Sequence, residues 1–541
     1  INQRPGRPSR AVLRGMGLTP SKLSCQRRSR PEVTLNPFGL NHLGDELFCN
    51  LCHELEISSL GNLASSSRRF NLQLQAQEAW RQACRSYGAA NVQQLRDMLT
   101  LKSVQWRNLQ AEDDAKYPPA RDHHVAFGTS MGLVIFGGND LTRGHMLSDT
   151  WVMDVKAQEW RVAATAGIRP PARTFNADGG GGGILRDAKT EREWMVIYGG
   201  LRGEGFRDNE TWLLGPMDLD PADWRWQEIE EGGGAQSRLR PTPRFHHSQT
   251  VLGTSTLAVL GGHDFMIRPI LAAGLLKLHE VDPEGDEIEW ELLSDPRDGP
   301  AARAYHSAVH WRNGALVIFG GVTRPGVASS RFGLQVHGDT WILDTETPWR
   351  PTWQRLPVDF TGTLDGGRCH ATASVLAERF LAIAGGCERV EGVQGDDGWI
   401  MAGLQVRPDL WILDLENPQS WQKLLDFDRP AWWDSTSMVV HERTMLIFGG
   451  HDSSQVNEFN DPMGGYATKE DALLVRVDRN GALKTSKYCG DEPPREASYS
   501  SLVTMGTHVL CCSPDATGDA MQAFKLCWGE TEKISETEIK D

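Results

Sequence analysis

Several groups of residues in the 541-residue chain have types and spacings that could do chemistry. Cys49-Asn-Leu-Cys52-His53 fits the C-x-x-C-H pattern of covalent haem attachment, and chance would produce it with a frequency on the order of 0.005 in a chain of this composition. Haem chemistry would also require a distal ligand, for which Met98 is the nearby candidate. A zinc site from Cys49, Cys52 and Cys84 lacks the second paired motif that completes four ligands, so these thiols read as part of a helical core. His123-His124 and His246-His247 recur with His306 and His370 at one position of a sequence period, which favours packing over metal binding. Gly179 to Gly183 is not followed by Lys-Ser/Thr, so it is no phosphate loop and reads as a flexible insertion. Spacing alone assembles no Ser/His/Asp set or carboxylate pair. The sequence therefore predicts no catalytic residues, no metal and no cofactor.

The elements that must position these residues follow from composition and period. Glycine (56) and tryptophan (19) are abundant beside only 7 tyrosines, which favours many small repeated units over several unrelated domains. The net charge is −15, yet residues 1–30 hold eight basic residues and no acid, so the remainder is strongly acidic and unsuited to a phosphate backbone. No apolar run reaches the length needed to span a bilayer. Nucleic acid and membrane are thus excluded as expected partners. The ten cysteines are scattered, which suggests a reducing compartment, cytoplasmic or nuclear, with organelle targeting by the Arg-rich head as the other reading. The first residue is Ile, as in a processed or incomplete chain.

A run of four mostly apolar residues closed by Gly-Gly appears six times, with first glycines at 137, 199, 261, 320, 385 and 449, spaced 62, 62, 59, 65 and 64 apart. Such runs read as buried strands whose ends need positive φ or close backbone approach. An acid or Asn near a Trp comes next (Asp149/Trp151, Asn209/Trp212, Asp339/Trp341, Asp409/Trp411), then a Trp-led strand at Trp160, Trp226, Trp290, Trp353 or Trp421. Last comes an arginine leading into a fourth strand, at Arg121, Arg173, Arg244, Arg303, Arg368, Arg429 and Arg495. Leu276, Leu473 and Phe524 stand for the first Trp in the degenerate units. Adding 62 to Gly449 gives 511, where Cys511-Cys512 would replace the glycines, and Trp106 supplies the Trp-led strand that the last unit lacks.

These marks resemble kelch repeats across about residues 102–530. The resemblance implies a mainly β fold, a β-propeller of seven blades, or six with an irregular tail. Its last blade is expected to combine two C-terminal strands with two N-terminal ones, which would remove sheet edges.

Residues 36–101 lack the period. Leu43, Leu47, Leu51 and Leu55 recur every fourth residue, a helical face. With Asp45-Glu46-Leu47 at its opening, Leu60, the Arg68-Arg69-Phe70 triplet and Trp80-Arg81, this stretch resembles an F-box, a small all-α domain, although Gly44 and Ser66 depart from its pattern. The resemblance implies docking of the Skp adaptor of a cullin complex through Leu43, Asp45, Glu46, Leu47, Leu51, Leu55 and Leu60. The pairing is similar to plant F-box/kelch proteins of the ZEITLUPE type, whose light-sensing domain would lie upstream, where the 35 residues before Asn36 are too few to form one.

The expected domains are a basic disordered head (1–35), the F-box-like domain and linker (36–101), the propeller (102–530) and an acidic tail (531–541). Connections after Gly-Gly are long at 322–338, 387–408 and 451–470 and should share one face with the segments before each arginine. They offer Arg324, Arg331, Phe332, Arg389, Trp399, Phe459 and Tyr466 as partner contacts. The expected function is therefore non-catalytic: the substrate-recognition subunit of an SCF-type ubiquitin ligase, with a protein substrate on the loop face. The alternatives are a kelch scaffold in a stable complex, a kelch-type oxidase or isomerase, or a c-type haem protein through Cys49, Cys52 and His53.

Overall fold

The computed structural model describes the chain between residues 104 and 528, except connecting segments of which the longest are 230–240, 324–334, 390–403, 427–435, 449–472 and 488–500. The F-box-like stretch, the basic head and the acidic tail lie outside the described residues. Within the described residues the chain forms seven four-stranded antiparallel sheets, the blades of a mainly β propeller.

Blade 1 shows why one period makes one blade. Its inner strand Val125–Gly128 turns through four residues into Leu133–Phe136, whose side chains are all fully buried. Thr150–Asp154 and Glu159–Val162 come next, moving outward, and the last buries Trp160 alone and exposes its other three residues, as an edge strand should. The inner strands of the other blades are Gly182–Arg186, Ser248–Leu252, Ser307–Trp311, Thr372–Leu376, Thr436–His441 and Ser501–Met505. Each touches the next, and Ser501–Met505 returns to Val125–Gly128, so the seven make a closed ring.

Apolar residues between adjacent blades form the core. The outer-strand tryptophan of one blade packs on the aromatic that precedes Gly-Gly in the blade before it: Trp226 on Phe136, Trp290 on Tyr198, Trp421 on Phe319 and Trp106 on Phe448, with ring centroids 4.9–5.6 Å apart. Trp106 takes this place because Val104–Asn108 is the outer strand of blade 7, paired from Val104–Trp528 to Asn108–Phe524.

Four expectations are corrected. The last blade combines three C-terminal strands with one N-terminal strand, because the arginine-led strand forms a short hairpin with the Gly-Gly strand after it and so opens its own blade. Cys511 and Cys512 do not stand for glycines. They are buried inside the strand His508–Pro514, where Cys511 faces Phe524 as Ile135 faces Trp151. This register puts Ser513-Pro514 at the glycine positions. In blade 3, Gly274 opposite Val259 stands for the first Trp, two residues before Leu276. The end of the glycine run is also no flexible insertion among the described residues: Gly182 and Gly183 begin the inner strand of blade 2. A Cβ on Gly182 would lie 1.7 Å from the Val196 carbonyl oxygen, and one on Gly183 would lie 2.4 Å from Val251. Glycine is there because strands from two directions leave no room.

Closure by a single N-terminal strand makes Trp106, 5% exposed, a test of the ring. Trp106→Ala is expected to cost about 3–5 kcal/mol, read as a lowered denaturation midpoint of the whole propeller.

Candidate interaction face

The arginines that open the first five blades are almost fully buried: Arg121, Arg173, Arg244, Arg303 and Arg368 are 0–1% exposed, while Arg429 and Arg495 lie outside the described residues. A buried guanidinium must find acceptors for its five donors. The first is common to all five described blades that carry one. Nη1 donates to the carbonyl of the first glycine of the pair, Gly137, Gly199, Gly261, Gly320 or Gly385, at 2.7–3.1 Å. The second is the acid two residues before the first Trp: Arg121 donates to both oxygens of Asp149, Arg303 to both of Asp339 and Arg368 to both of Asp409. In blade 2 this acid is Glu210, which Arg173 Nη2 reaches at 2.8 Å, so Glu210 rather than Asn209 occupies the place of Asp149. The tryptophan indoles Trp151, Trp212 and Trp341 donate to the same carboxylates.

The glycine pair adopts the geometry this requires. Gly137 and Gly138 have φ of 67° and 97°, and the pairs at 199, 261, 320 and 385 are also in the left-handed region. The turn aims the second glycine's N–H at the next blade: Gly138 donates to the Arg173 carbonyl, Gly262 to Arg303 and Gly321 to Arg368, at 2.8–2.9 Å. Arg173, Arg303 and Arg368 thus each hold their own glycine carbonyl by the side chain and the preceding blade's glycine by the backbone.

The recurring histidines complete the joint. His124 Nε2 lies 3.2 Å from Ser501 Oγ of the preceding blade, and His306 Nε2 lies 2.8 Å from Ser248 Oγ in the same relation. Two residues after the arginines, His246, Tyr305 and His370 have φ of 53–54° and stack in sequence across three blades, with centroids 4.0 Å apart. These contacts give the histidines a blade-packing role. Among the described residues no group of three or more His, Cys, Asp or Glu could hold a metal ion.

All these groups lie on the face from which the connections after Gly-Gly emerge. Two of those connections begin as short ribbons: Val322–Thr323 pairs with Gln335–Val336, and Cys387–Arg389 with Leu404–Val406. Arg389 ends the second ribbon, exposed to solvent and opposite Leu404. Arg324, Arg331, Phe332, Trp399, Phe459 and Tyr466 lie outside the described residues, as do Leu43, Asp45, Glu46, Leu47, Leu51, Leu55, Leu60 and the Cys49/Cys52/His53 motif. The inner strands surround a cavity of about 740 Å³ that reaches the opposite, short-hairpin face. Its walls include small residues such as Ala126, Gly183, Ala308 and Ser374. At its mouth the indole of Trp311 and the guanidinium of Arg312 donate to the Glu378 carbonyl.

The electrostatics of the joint set its response to acid. Burial pushes the Asp149 and Asp339 carboxyls up, but hydrogen bonds and charge from Arg121 or Arg303 more than offset this and leave both below the usual carboxylate range. Burial, with help from Arg121 and His123, lowers His124 to about 3. Burial and Arg303 lower His337 to about 4, against the opposing pull of Asp339. A histidine held neutral when folded takes up a proton on unfolding anywhere between its folded value and about 6.5. Its contribution to stability is therefore complete above about pH 6.5 and is lost progressively below that. The carboxylates add a further loss only below about pH 4, as the pH falls through their lowered folded values.

The Tm is thus expected to be flat near pH 7–8 and to fall as the pH drops from 6.5 to 4, with net proton uptake on unfolding near pH 5 by calorimetry in two buffers of different ionisation enthalpy. Arg303→Ala leaves the half-buried Asp339 without its counter-charge, and Asp339→Asn leaves the fully buried Arg303 guanidinium without one; each is expected to cost about 3–5 kcal/mol, read as a lowered denaturation midpoint.

Residues 88–262 and 186–386 match the family model described as the KLHDC2/KLHL20/DRC7 kelch-repeats domain. Adagio protein 3 of Arabidopsis thaliana is 25% identical over 78% of this chain and 64% of its own length, so the chain spans less than two thirds of that relative. An F-box/kelch-repeat protein of the same plant is 23% identical over 79% of this chain and 90% of its own length. The acyl-CoA-binding domain-containing protein 4 of Arabidopsis thaliana is 25% identical over 59% of this chain and 42% of its own. With the repeated arginine, glycine pair and tryptophans each in its structural place, the chain belongs to the kelch-repeat family.

Proposed function

We propose that this chain is the substrate-recognition subunit of an SCF-type cullin–RING ubiquitin ligase. In this reading residues 36–88 dock a Skp-type adaptor, and the connections after Gly-Gly hold a target protein. One observation carries the reading: an F-box-like series, Asp45-Glu46-Leu47 through Arg68-Arg69-Phe70 to Trp80-Arg81, stands in order before a kelch propeller. A relative whose name joins F-box and kelch supports it, because its likeness extends over 79% of this chain.

The ring suits such a task. A closed propeller has few free strand edges, and its joint of buried arginines fixes the roots of the connections that would meet a partner. Val104, where the chain enters the ring, begins an outer strand at the short-hairpin face, opposite the face of those connections. The subunit would act by proximity, holding a lysine of the target near the charged ubiquitin carrier.

Co-purification of the full chain with a Skp-type adaptor tests the reading. A stable complex is expected for the parent chain and its loss for Leu47→Arg, with the propeller's Tm unchanged. No complex with the parent chain would refute the ligase assignment. Retained binding by the variant would refute the placement of the contact.

A further inference from the structure

Cys369 and Cys387 face each other at the base of the blade 5 connection. Their backbones form an antiparallel bridge in which the Cys369 N–H donates to the Cys387 carbonyl at 3.0 Å and the Cys387 N–H to the Cys369 carbonyl at 2.7 Å. The Cα atoms of such a pair stand about 5.5 Å apart, within the roughly 4.4–6.8 Å that a disulfide spans. Both side chains are 1% exposed and lie in one apolar cluster with Ala304, Tyr305, Val322 and Val336, so they point to the same side of the bridge. Cys369 Sγ already lies 3.6 Å from the Cys387 carbonyl oxygen. Both are thiols in this structure.

The bridge does not need sulfur. One blade earlier the corresponding pair is Ala304 and Val322, joined by the same two backbone hydrogen bonds. Blade 5 therefore places two thiols at a position that an alanine and a valine can fill, directly beside the buried Arg368 and the stacked His370.

We propose that Cys369 and Cys387 are a redox modification site, a dithiol that closes reversibly to a disulfide. A disulfide-type oxidant such as oxidised glutathione accepts the two electrons: one cysteine thiolate attacks it and expels one reduced glutathione. The other thiolate then attacks the mixed disulfide, forms the Cys369–Cys387 bond and expels the second glutathione, so two protein thiols and one oxidant disulfide become one protein disulfide and two small thiols. Pairs that exchange both backbone hydrogen bonds hold their Cβ atoms farther apart than a relaxed disulfide prefers, and a strained disulfide is more easily reduced. The bond is therefore expected to be reversible rather than a permanent staple. Because both thiols are buried, oxidation proceeds through local opening of the ribbon.

Closure would tie the entry to the inner strand of blade 5 to the first residue of the ribbon Cys387–Arg389/Leu404–Val406. That ribbon is the stem of residues 390–403, so the oxidised form would hold the root of one connection on the interaction face. The redox chemistry stands apart from the ligase reading, and failure of adaptor binding would leave it untouched.

The test uses the full chain equilibrated in glutathione buffers of graded poise, quenched by alkylation and digested with trypsin. Cleavage at Arg368, Arg379 and Arg389 separates the peptides Cys369–Arg379 and Phe380–Arg389. The expected result is a species that joins these two peptides under oxidising poise and is lost on adding dithiothreitol. The double variant Cys369→Ala/Cys387→Val copies the preceding blade; it should keep the parent's reduced-state Tm and lose the change in Tm that oxidation produces in the parent. Equal alkylation of both cysteines at every poise, or pairing of either with Cys511, Cys512 or Cys527 instead, would overturn the proposal.

Discussion

A buried guanidinium organises this propeller. In each of the five described blades that carry it, the arginine enters a site almost without solvent, where five N–H donors would be very costly unless met. The glycine carbonyl answers one donor, and in four of the blades a carboxylate answers others. In three of the blades, those of Arg173, Arg303 and Arg368, the backbone carbonyl of the same arginine also accepts from the preceding blade's second glycine. One residue thus satisfies its own blade and joins it to its neighbour. The glycine pair is a consequence of this arrangement: a Cβ on Gly320 would lie 2.1 Å from the Arg368 carbonyl oxygen, so any larger residue would push the two blades apart.

The remaining packing repeats the same blade-to-blade logic in apolar form. Where an aromatic precedes a blade's glycines, the outer tryptophan of the next blade leans on it, so the strand that closes a blade also seals the gap behind it. The ring is completed by the same device, with Trp106 on Phe448, although Trp106 comes from the far end of the chain. Departures from the repeat concentrate in blades 3 and 7, where Gly274 and Ser513-Pro514 occupy the places of a tryptophan and a glycine pair. The strand ladders persist there because the second strand stays buried on both faces and its backbone stays paired, whichever residue occupies any one mark.

Much of the fold was legible in the residues. The glycine pairs, the tryptophans and the arginines each mark a fixed place in a blade, and all three are rare enough to stand out against an ordinary hydrophobic pattern. The candidate face was legible only as a geometry, since the connections after Gly-Gly and before the arginine must share a side in an antiparallel blade. Which acid completes the joint was not: Asn209 and Glu210 are adjacent, and only the direction of the strand Thr211–Gly215 decides that Glu210 meets Arg173. The five-glycine run misled for a similar reason. Glycine-rich sequence signals freedom when nothing surrounds it and crowding when something does, and Phe175, Val196 and Val251 crowd Gly181, Gly182 and Gly183 in turn.

The sequence alone determined the repeat, its four strands per unit and the return of the N-terminal strand to the last blade, because these depend on local pattern and on a missing Trp-led strand that only one segment could supply. Tertiary structure decided the phase. The arginine-led strand pairs with the Gly-Gly strand next in the chain, so the last blade is three strands plus one, and the cysteines at 511 and 512 move from the strand end into its buried middle. It also decided that Cys369 and Cys387, 18 positions apart among ten scattered cysteines, are bridge partners. The physical reason is the same in each case: spacing along a chain limits which residues can meet, but only the pairing of strands, driven by buried hydrogen bonds, chooses which of them do.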